Sequence, residues 1–145
     1  MFKHILAPVD GSKNADAALD KAVEMQKLTG AALTILTVYR HHSMLEASFS
    51  MVRPGDPGNM DDIMRGHARE VAEAAKQRAM ENGGVDVHAL VRNGPIARGI
   101  VAVAKERGCD LIVIGSRGLG SIEGYLMGSV SHKVTGTAPC PVMIV

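Results

Sequence analysis

The sequence predicts an α/β protein with a single-domain, open parallel sheet of five strands and helices on both faces, spanning residues 1–145. Short apolar runs rich in β-branched residues alternate with segments in which small apolar residues recur every three or four positions. Strands that alternate with helices form parallel sheets through right-handed crossovers. A chain of 145 residues with 46% apolar side chains suits one domain with a sizeable core.

The first part of the chain predicts two strands and one helix. The short apolar run His4–Val9 is the first strand, and it ends at the turn Asp10-Gly11-Ser12, which can also cap a helix. A helix is expected from Lys13 to Gly30, since glycine is common just past a helix end. Its apolar residues recur at helical spacing at Ala15, Ala18, Ala22 and Met25. The β-branched run Ala32–Tyr39 predicts the second strand.

A segment without periodicity follows the second strand. Arg40 to Asn59 contains the turn cluster Pro-Gly-Asp-Pro-Gly at 54–58. A long connection of this kind in a compact domain is typical of a functional loop. We therefore expect 40–60 to be a flexible loop that acts as a lid or an interaction surface.

After this segment the alternation of helices and strands resumes. A helix is expected to end at Asn82, and a strand is expected at Val85–Val91. The helix carries apolar residues at Met64, Ala68, Val71, Ala75 and Ala79. A third helix is expected from Pro95, at the first helical position, to Gly108. The continuous apolar run Asp110–Ile114 suits a strand that is covered on both faces.

A glycine-rich segment, a short helix at about Ser129–Thr135 and a last strand at Pro141–Val145 complete the chain. The expected strand order is 3-2-1-4-5, a Rossmann-like sheet. In this order, strands one and four flank the point where the strand order reverses. Open parallel sheets bind ligands at that point, beyond the carboxyl ends of the strands.

Composition excludes several classes of protein. Aromatic residues make up 3% of the chain, the net charge is +1, and neither stacked bases nor a basic nucleic-acid surface is expected. No apolar run approaches ~18 residues, so no membrane span is expected. The two cysteines, Cys109 and Cys140, form no CxxC pair and are expected to be buried in a reducing compartment. Cytoplasmic location is the expectation.

The segment from Gly115 to Ser131 has the features of a phosphate site. Glycine lets the backbone approach a ligand closely, and successive N–H groups form an anion-binding nest. Gly128-Ser129-Val130-Ser131 opens a helix, whose N–H groups and positive dipole end favour an anion. The hydroxyls of Ser129 and Ser131 are expected to add donors.

Two better-known phosphate motifs do not fit this segment. Ser121 and Ile122 stand where a P-loop has Lys and Ser or Thr, and the glycine order is G-x-x-G-x-G rather than G-x-G-x-x-G. Three plainer interpretations stay open at this point: an empty loop, Asp10 acting only as a helix cap, and Arg117 as a solvated surface charge.

Little in the sequence points to catalysis. The six histidines show no metal-site spacing, and His132 is the one expected near the phosphates. There is no nucleophile elbow of the form G-x-S-x-G and no carboxylate pair at the glycine segment. This favours binding, although slow hydrolysis of a bound phosphoanhydride needs little beyond a positioned metal and water.

The spacing Gly115-x2-Gly118-x9-Gly128-Ser129 resembles the signature of ATP-binding universal stress proteins. The flanking sequences agree: HILAPVDGS at the first strand, the entry to the third helix at 91–95, and the ending APCPVMIV. The resemblance covers nearly the whole chain.

The resemblance implies a role for each matching position. Pro8, Val9 and Asp10 would lie near the ribose, with Asp10 near a phosphate-bound Mg²⁺ or Mn²⁺ and therefore in indirect contact with the metal. Val38 would present its backbone to adenine. The full predicted nucleotide-binding set is Pro8, Val9, Asp10, Val38, Ile114, Gly115, Arg117, Gly118, Gly128, Ser129, Val130 and Ser131, with no catalytic residue.

The resemblance also implies a function. It implies a regulatory, stress-response protein that binds ATP, or ADP or AMP, and acts through ligand-dependent ordering and binding to unknown protein partners. It further implies a homodimer formed through the C-terminal strand 142–145. A slow ATPase or phosphotransferase is the alternative, and an interaction module without a ligand is a third hypothesis.

Overall fold

The computed structural model describes residues 1–40, 57–118 and 128–145. Within these ranges strands and helices alternate along the chain, beginning with a strand. The elements are β1 (His4–Pro8), α1 (Lys13–Thr29), β2 (Ala32–Tyr39), α2 (Pro57–Glu81), β3 (Val87–Asn93), α3 (Ile96–Glu106), β4 (Leu111–Ile114), α4 (Ser129–Thr137) and β5 (Val142–Ile144).

The five strands form one parallel sheet in the order β3-β2-β1-β4-β5, which confirms the predicted order 3-2-1-4-5. The central strand β1 pairs with β2 on one side and with β4 on the other, and Ile5 lies opposite both Leu33 and Leu111. The chain runs outward from β1 to β2 and β3, and later returns to place β4 on the other side. The strand order therefore reverses between β1 and β4, as expected.

Helices cover both faces of the sheet. Ile5 and Ala7 pack in the cluster that includes the buried residues of α1 and α2, whereas Leu6 packs in the cluster with α3 and α4. All three are fully buried. Successive side chains of a strand point to opposite faces, so burial on both faces explains why β1 is apolar throughout instead of alternating.

The ends of α1 follow the capping rules. Ser12 Oγ accepts a hydrogen bond of 3.1 Å from Ala15 N at the start of the helix. Gly30 ends it with φ of 75° and donates its N–H to Gln26 O. A left-handed residue after a helix is readily adopted by glycine, which lacks Cβ. Both boundaries agree with the prediction.

Several predicted boundaries were wrong by one residue or more, including those of α2, β3 and α3. Helix α2 begins at Pro57, inside the segment 40–60 that was expected to be a loop; residues 41–56 lie outside the described residues, so the flexibility of that loop stays a prediction. Strand β3 covers Val87–Asn93 instead of Val85–Val91, because the turn after α2 continues to Asp86, which has φ of 54°. Pro95 is the N-cap of α3 rather than its first helical residue.

Candidate functional site

A cavity of about 550 Å³ opens at the carboxyl ends of β1, β2 and β4, where the strand order reverses. The ends of these strands, the first turn of α4 and one side of α2 form its walls. All twelve residues of the predicted nucleotide-binding set line this one cavity: Pro8, Val9, Asp10, Val38, Ile114, Gly115, Arg117, Gly118, Gly128, Ser129, Val130 and Ser131. Residues 119–127 of the glycine segment lie outside the described residues.

The turn after β4 passes very close to the first turn of α1. A methyl group on Gly115 would lie 2.7 Å from Asn14 Oδ1 and 3.0 Å from the backbone oxygen of Asn14. A methyl group on Gly118 would overlap Asp10 Oδ2. Gly115 is therefore explained by the close approach of the turn to the backbone of α1, and Gly118 by its contact with the carboxylate of Asp10.

The turn after β1 places the carboxylate of Asp10 beside Gly118. Asp10 Oδ1 accepts a hydrogen bond of 2.9 Å from Ser12 N, and Gly11 between them has φ of 88°. Ser12 provides the side-chain cap of α1. The open question of whether Asp10 is only a helix cap is thus answered in part, because Asp10 closes the turn and also lines the cavity.

The start of α4 forms the opposite wall. The first backbone hydrogen bond within the helix runs from His132 N to Gly128 O (3.1 Å). The N–H groups of Ser129, Val130 and Ser131 belong to the first turn, where no intrahelical acceptor exists. These groups and the positive end of the helix dipole favour an anion in the cavity.

The hydroxyl of Ser131 has a different role from the one expected. Its side chain is buried, and Oγ lies 3.0 Å from both Ser116 O and Gly128 O, to which it donates. Gly128 N also donates to Ser116 O at 2.6 Å. The prediction that this hydroxyl is a phosphate donor was therefore wrong: it ties the start of α4 to the turn after β4.

The side of the cavity near β2 is apolar. Val38 packs directly under α3, where a methyl group on Gly99 would lie 3.1 Å from Val38 Cγ1. Ile96 and Ile100 of the same helix also line the cavity. Tyr39 is buried, and its hydroxyl accepts a hydrogen bond of 3.1 Å from Arg65 Nε. An apolar wall opposite a set of N–H donors suits a ligand with a flat apolar end and an anionic end.

Sequence analysis missed the contribution of α2. Five of its residues line the cavity: Ile63, Met64, His67, Ala68 and Val71. The spacing of Met64, Ala68 and Val71 had predicted the helix, but spacing does not show which residues of a helix border a cavity. The expectation for His132 was wrong, since His132 is exposed and does not line the cavity, whereas His67 does.

Electrostatics at the cavity are mixed. Its charged residues are Asp10, Arg40 and Arg117. Among the described residues, no group of three or more His, Cys, Asp or Glu is placed to hold a metal ion. A cation held here would therefore take most of its ligands from the bound molecule, as the prediction of an indirect metal contact at Asp10 requires.

The two cysteines differ in burial. Cys109 is buried and Cys140 half-buried, both as free thiols, so the prediction that both are buried was wrong for Cys140. Burial raises the pKa of the Cys109 thiol to about 11.

No helix in the described ranges is long and apolar enough to cross a bilayer.

The parallel sheet, the reversal of strand order and the cavity beyond it define a class: an α/β protein with a small-molecule pocket at the carboxyl edge of its sheet. The model of the universal stress protein family matches residues 1–145. The chain belongs to the universal stress protein family. It is 38% identical to the universal stress protein YxiE of Bacillus subtilis over 148 aligned positions, covering 100% of this chain and 99% of the relative.

Solved structures agree with this assignment. The universal stress protein UspA from Lactobacillus plantarum superimposes with a TM-score of 0.84 at 27% identity, covering 99% of this chain and 97% of that one. A universal stress protein in complex with cAMP gives a TM-score of 0.72 at 26% identity, with 99% and 96% coverage. The universal stress protein from Archaeoglobus fulgidus in complex with dAMP gives 0.66 at 26% identity, with 99% and 97% coverage.

Proposed function

We propose that this protein binds an adenine nucleotide, ATP with Mg²⁺ or Mn²⁺ in preference, and acts as a regulatory protein of the stress response rather than as an enzyme. The observation that carries the proposal is the convergence of two phosphate-binding elements on one cavity. The turn Gly115–Gly118 and the first turn of α4 both line it. Backbone N–H groups at such positions bind phosphate without a lysine.

The shape of the cavity supports a nucleotide over a free anion. Its volume of about 550 Å³ falls within the usual range for small-molecule sites. The apolar wall around Val38 and Ile96 would take the base, and the N–H groups near Ser129 would take the phosphates. The family relatives solved with cAMP and dAMP support the choice of adenine.

The metal would be held between the ligand and one protein carboxylate. Asp10 lies on the cavity beside Gly118, next to the turn that would face the phosphates. Mg²⁺ in phosphate sites is commonly bound by one or two carboxylates together with phosphate oxygens and waters. We therefore retain Asp10 as the indirect metal contact.

Holding the nucleotide is favoured over consuming it. Among the described residues that line the cavity, Asp10 is the one carboxylate and His67 the one histidine, so the cavity holds no carboxylate pair for general acid–base catalysis. A slow ATPase or phosphotransferase is the alternative. Turnover of Mg-ATP at about 1 s⁻¹ or faster, within the range of ordinary enzymes, would favour that alternative.

Dimerisation through the C-terminal strand is part of the proposal. β5 is the last strand in the order of the sheet. Pro141 O and Val145 N bond to β4, at 3.0 Å from Ile112 N and 2.9 Å from Ile114 O. Because backbone groups alternate along a strand, those of Val142 and Ile144 point to the free side of β5. A second copy would pair there by placing 142 opposite 144 about a two-fold axis.

Calorimetric titration of the nucleotide-free protein with Mg-ATP tests the nucleotide site. Wild-type protein should bind, and the double variant Gly115→Ala, Gly118→Ala should lose most of its affinity, because the first methyl group displaces the turn and the second displaces the carboxylate of Asp10. Gly66→Ala, at an exposed helical site with open space around it, is the matched control and should bind as wild type. Unchanged affinity in the double variant would refute the site.

Nucleotide that copurifies with the protein provides a second measurement. Chromatography and the ultraviolet spectrum would identify it, and with no Trp and only two Tyr the protein itself absorbs weakly. A preparation without nucleotide, and without a thermal shift on addition of Mg-ATP, would favour an interaction module that binds no ligand. Cytoplasmic location stays a prediction.

A further inference from the structure

The side chain of Asn14 connects three segments of the chain without lining the cavity. Asn14 lies in the first turn of α1 and is half-buried. Its Oδ1 accepts a hydrogen bond of 2.6 Å from Arg117 N, in the turn after β4, and lies 3.4 Å from Ser116 Oγ. Its Nδ2 donates to Val145 O at 3.5 Å. One amide therefore joins α1, the glycine turn and the residue that follows β5.

The orientation of this amide is fixed by its two backbone partners. Arg117 N can only donate and Val145 O can only accept, so the oxygen of Asn14 must face the first and its nitrogen the second. The reverse orientation would place two donors against each other and two acceptors against each other. The contact with Arg117 N is therefore directional, and it fixes where that N–H and the following Gly118 stand.

The turn and the side chain of Asn14 also limit each other sterically. A methyl group on Gly115 would lie 2.7 Å from Asn14 Oδ1, so the amide already occupies the space that a side chain at 115 would need. The same turn is tied at its other side, where Ser116 N donates to Val145 O and Ser116 O accepts from Gly128 N. Residues 115–117 are thus held by α1 on one side and by Val145 and Gly128 on the other. Among the described residues, Asn14 is the one with a side-chain amide that bonds to the backbone of this turn.

We propose that Asn14 is a positioning residue for the proposed nucleotide site. Its amide holds the turn Gly115–Gly118 against α1 and so sets the shape of the cavity wall that would face the ligand phosphates. Asn14 touches neither base nor phosphate. The functional part of this inference rests on the proposed nucleotide binding, whereas its geometric part holds for the protein without a ligand.

Hydrogen exchange of the Arg117 amide, measured by NMR on nucleotide-free full-length protein, tests the geometric part. Asn14→Ala removes the acceptor, and exchange at Arg117 should become about tenfold faster, which is the effect of losing one hydrogen bond. Asn14→Asp loses the donor to Val145 O but keeps an acceptor oxygen for Arg117 N, and should restore most of the protection. Exchange at Ile112 in the centre of β4 should be unchanged in both variants. The control is Lys13→Ala, an exposed change in the same helical turn.

Binding of ATP and of adenosine to the same variants tests the functional part. Asn14→Ala should weaken ATP binding by about tenfold while leaving adenosine binding within about twofold, because only ATP uses the phosphate-facing turn. A variant that merely destabilised the fold would weaken both. Unchanged Arg117 exchange in Asn14→Ala, or equal changes for ATP and adenosine, would overturn the proposal.

The two proposals can fail separately. If wild-type protein binds neither ATP nor adenosine, the proposed function is refuted. In that case faster exchange at Arg117 in Asn14→Ala, with rescue by Asn14→Asp, still supports Asn14 as the residue that shapes the turn.

Discussion

Replacing Gly115 by alanine places a carbon atom where the chain has no space for one. The new methyl group would lie 2.7 Å from Asn14 Oδ1, and 3.0 Å from Asn14 O and 3.1 Å from Asn14 C in the backbone of α1. A side-chain amide can rotate away, but helix backbone cannot shift without moving the helix. The turn after β4 must therefore move instead, away from α1 and toward the cavity.

The size of the effect follows from overpacking a well-packed site, which typically destabilises by about 1–3 kcal/mol. For a chain of this length the entropy of unfolding is about 0.3 kcal/mol/K, so each kcal/mol lowers Tm by about 3 °C. Gly115→Ala should lower Tm by about 3–10 °C. Gly66→Ala, within α2 and with open space around it, should raise Tm by about 2–3 °C through helix propensity.

Thermal unfolding of both variants, with and without Mg-ATP, gives the comparison. The destabilised turn should also reduce the stabilisation that saturating Mg-ATP produces, whereas Gly66→Ala should retain it in full. A Gly115→Ala protein with wild-type Tm and wild-type stabilisation by Mg-ATP would show that the turn tolerates the methyl group. The close approach of Gly115 to Asn14 would then not require glycine at this position.

Three further outcomes can be measured on the same protein. Ile144→Pro removes an N–H from the free side of β5 and should abolish the dimer in analytical ultracentrifugation. The control Ile144→Ala keeps that N–H and should stay dimeric. A dimeric proline variant would exclude pairing through β5. Burial raises the pKa of both thiols, that of Cys109 to about 11, and Cys109 is the more buried of the two. Mass spectrometry should therefore show slower native alkylation at Cys109 than at Cys140, and equal native rates would contradict this. Burial alone would raise the pKa of Asp110, but backbone N–H groups, including that of His4, outweigh it and lower the pKa. The ionised carboxylate therefore stabilises the fold above its unfolded pKa of ~3.9, and this stabilisation is lost as the pH falls. Asp110→Asn should have a lower Tm than wild type at about pH 7, and the difference should shrink at about pH 2.5. A difference in Tm that does not depend on pH would refute this interpretation.

Most of the fold could be predicted because its signals are local. The run Ala32–Tyr39 gave the exact bounds of β2, and Gly30 gave the end of α1. The start of β3 could not be predicted in the same way. Val85 continues the alternating pattern, yet the connection after α2 extends to Asp86, which has a positive φ. Within this connection Gly84 N bonds back to Ala79 O, a contact that the alternating pattern does not indicate.

The candidate site was predicted in part for the same reason. Glycine spacing pointed to the segment 115–131, the family resemblance supplied the other positions, including Val38, and all twelve residues line one cavity. The contribution of His67 could not be predicted, because His67 is far from the glycine segment in sequence and belongs to no motif that indicates a ligand. Asn14 was missed for a different reason: its neighbours at 115–117 are about a hundred residues away in sequence, and nothing near position 14 indicates them.

The near-contact between the glycine turn and α1 has a consequence for how the protein tolerates change. The proposed phosphate donors are main-chain groups, which every residue except proline carries. Mutational scanning should therefore show an uneven pattern, in which Ser116 and Arg117 accept many side chains while Gly115 accepts none. This site is specified largely by glycines, whose missing side chains leave room for the backbone. A survey for charged or nucleophilic side chains would therefore overlook it.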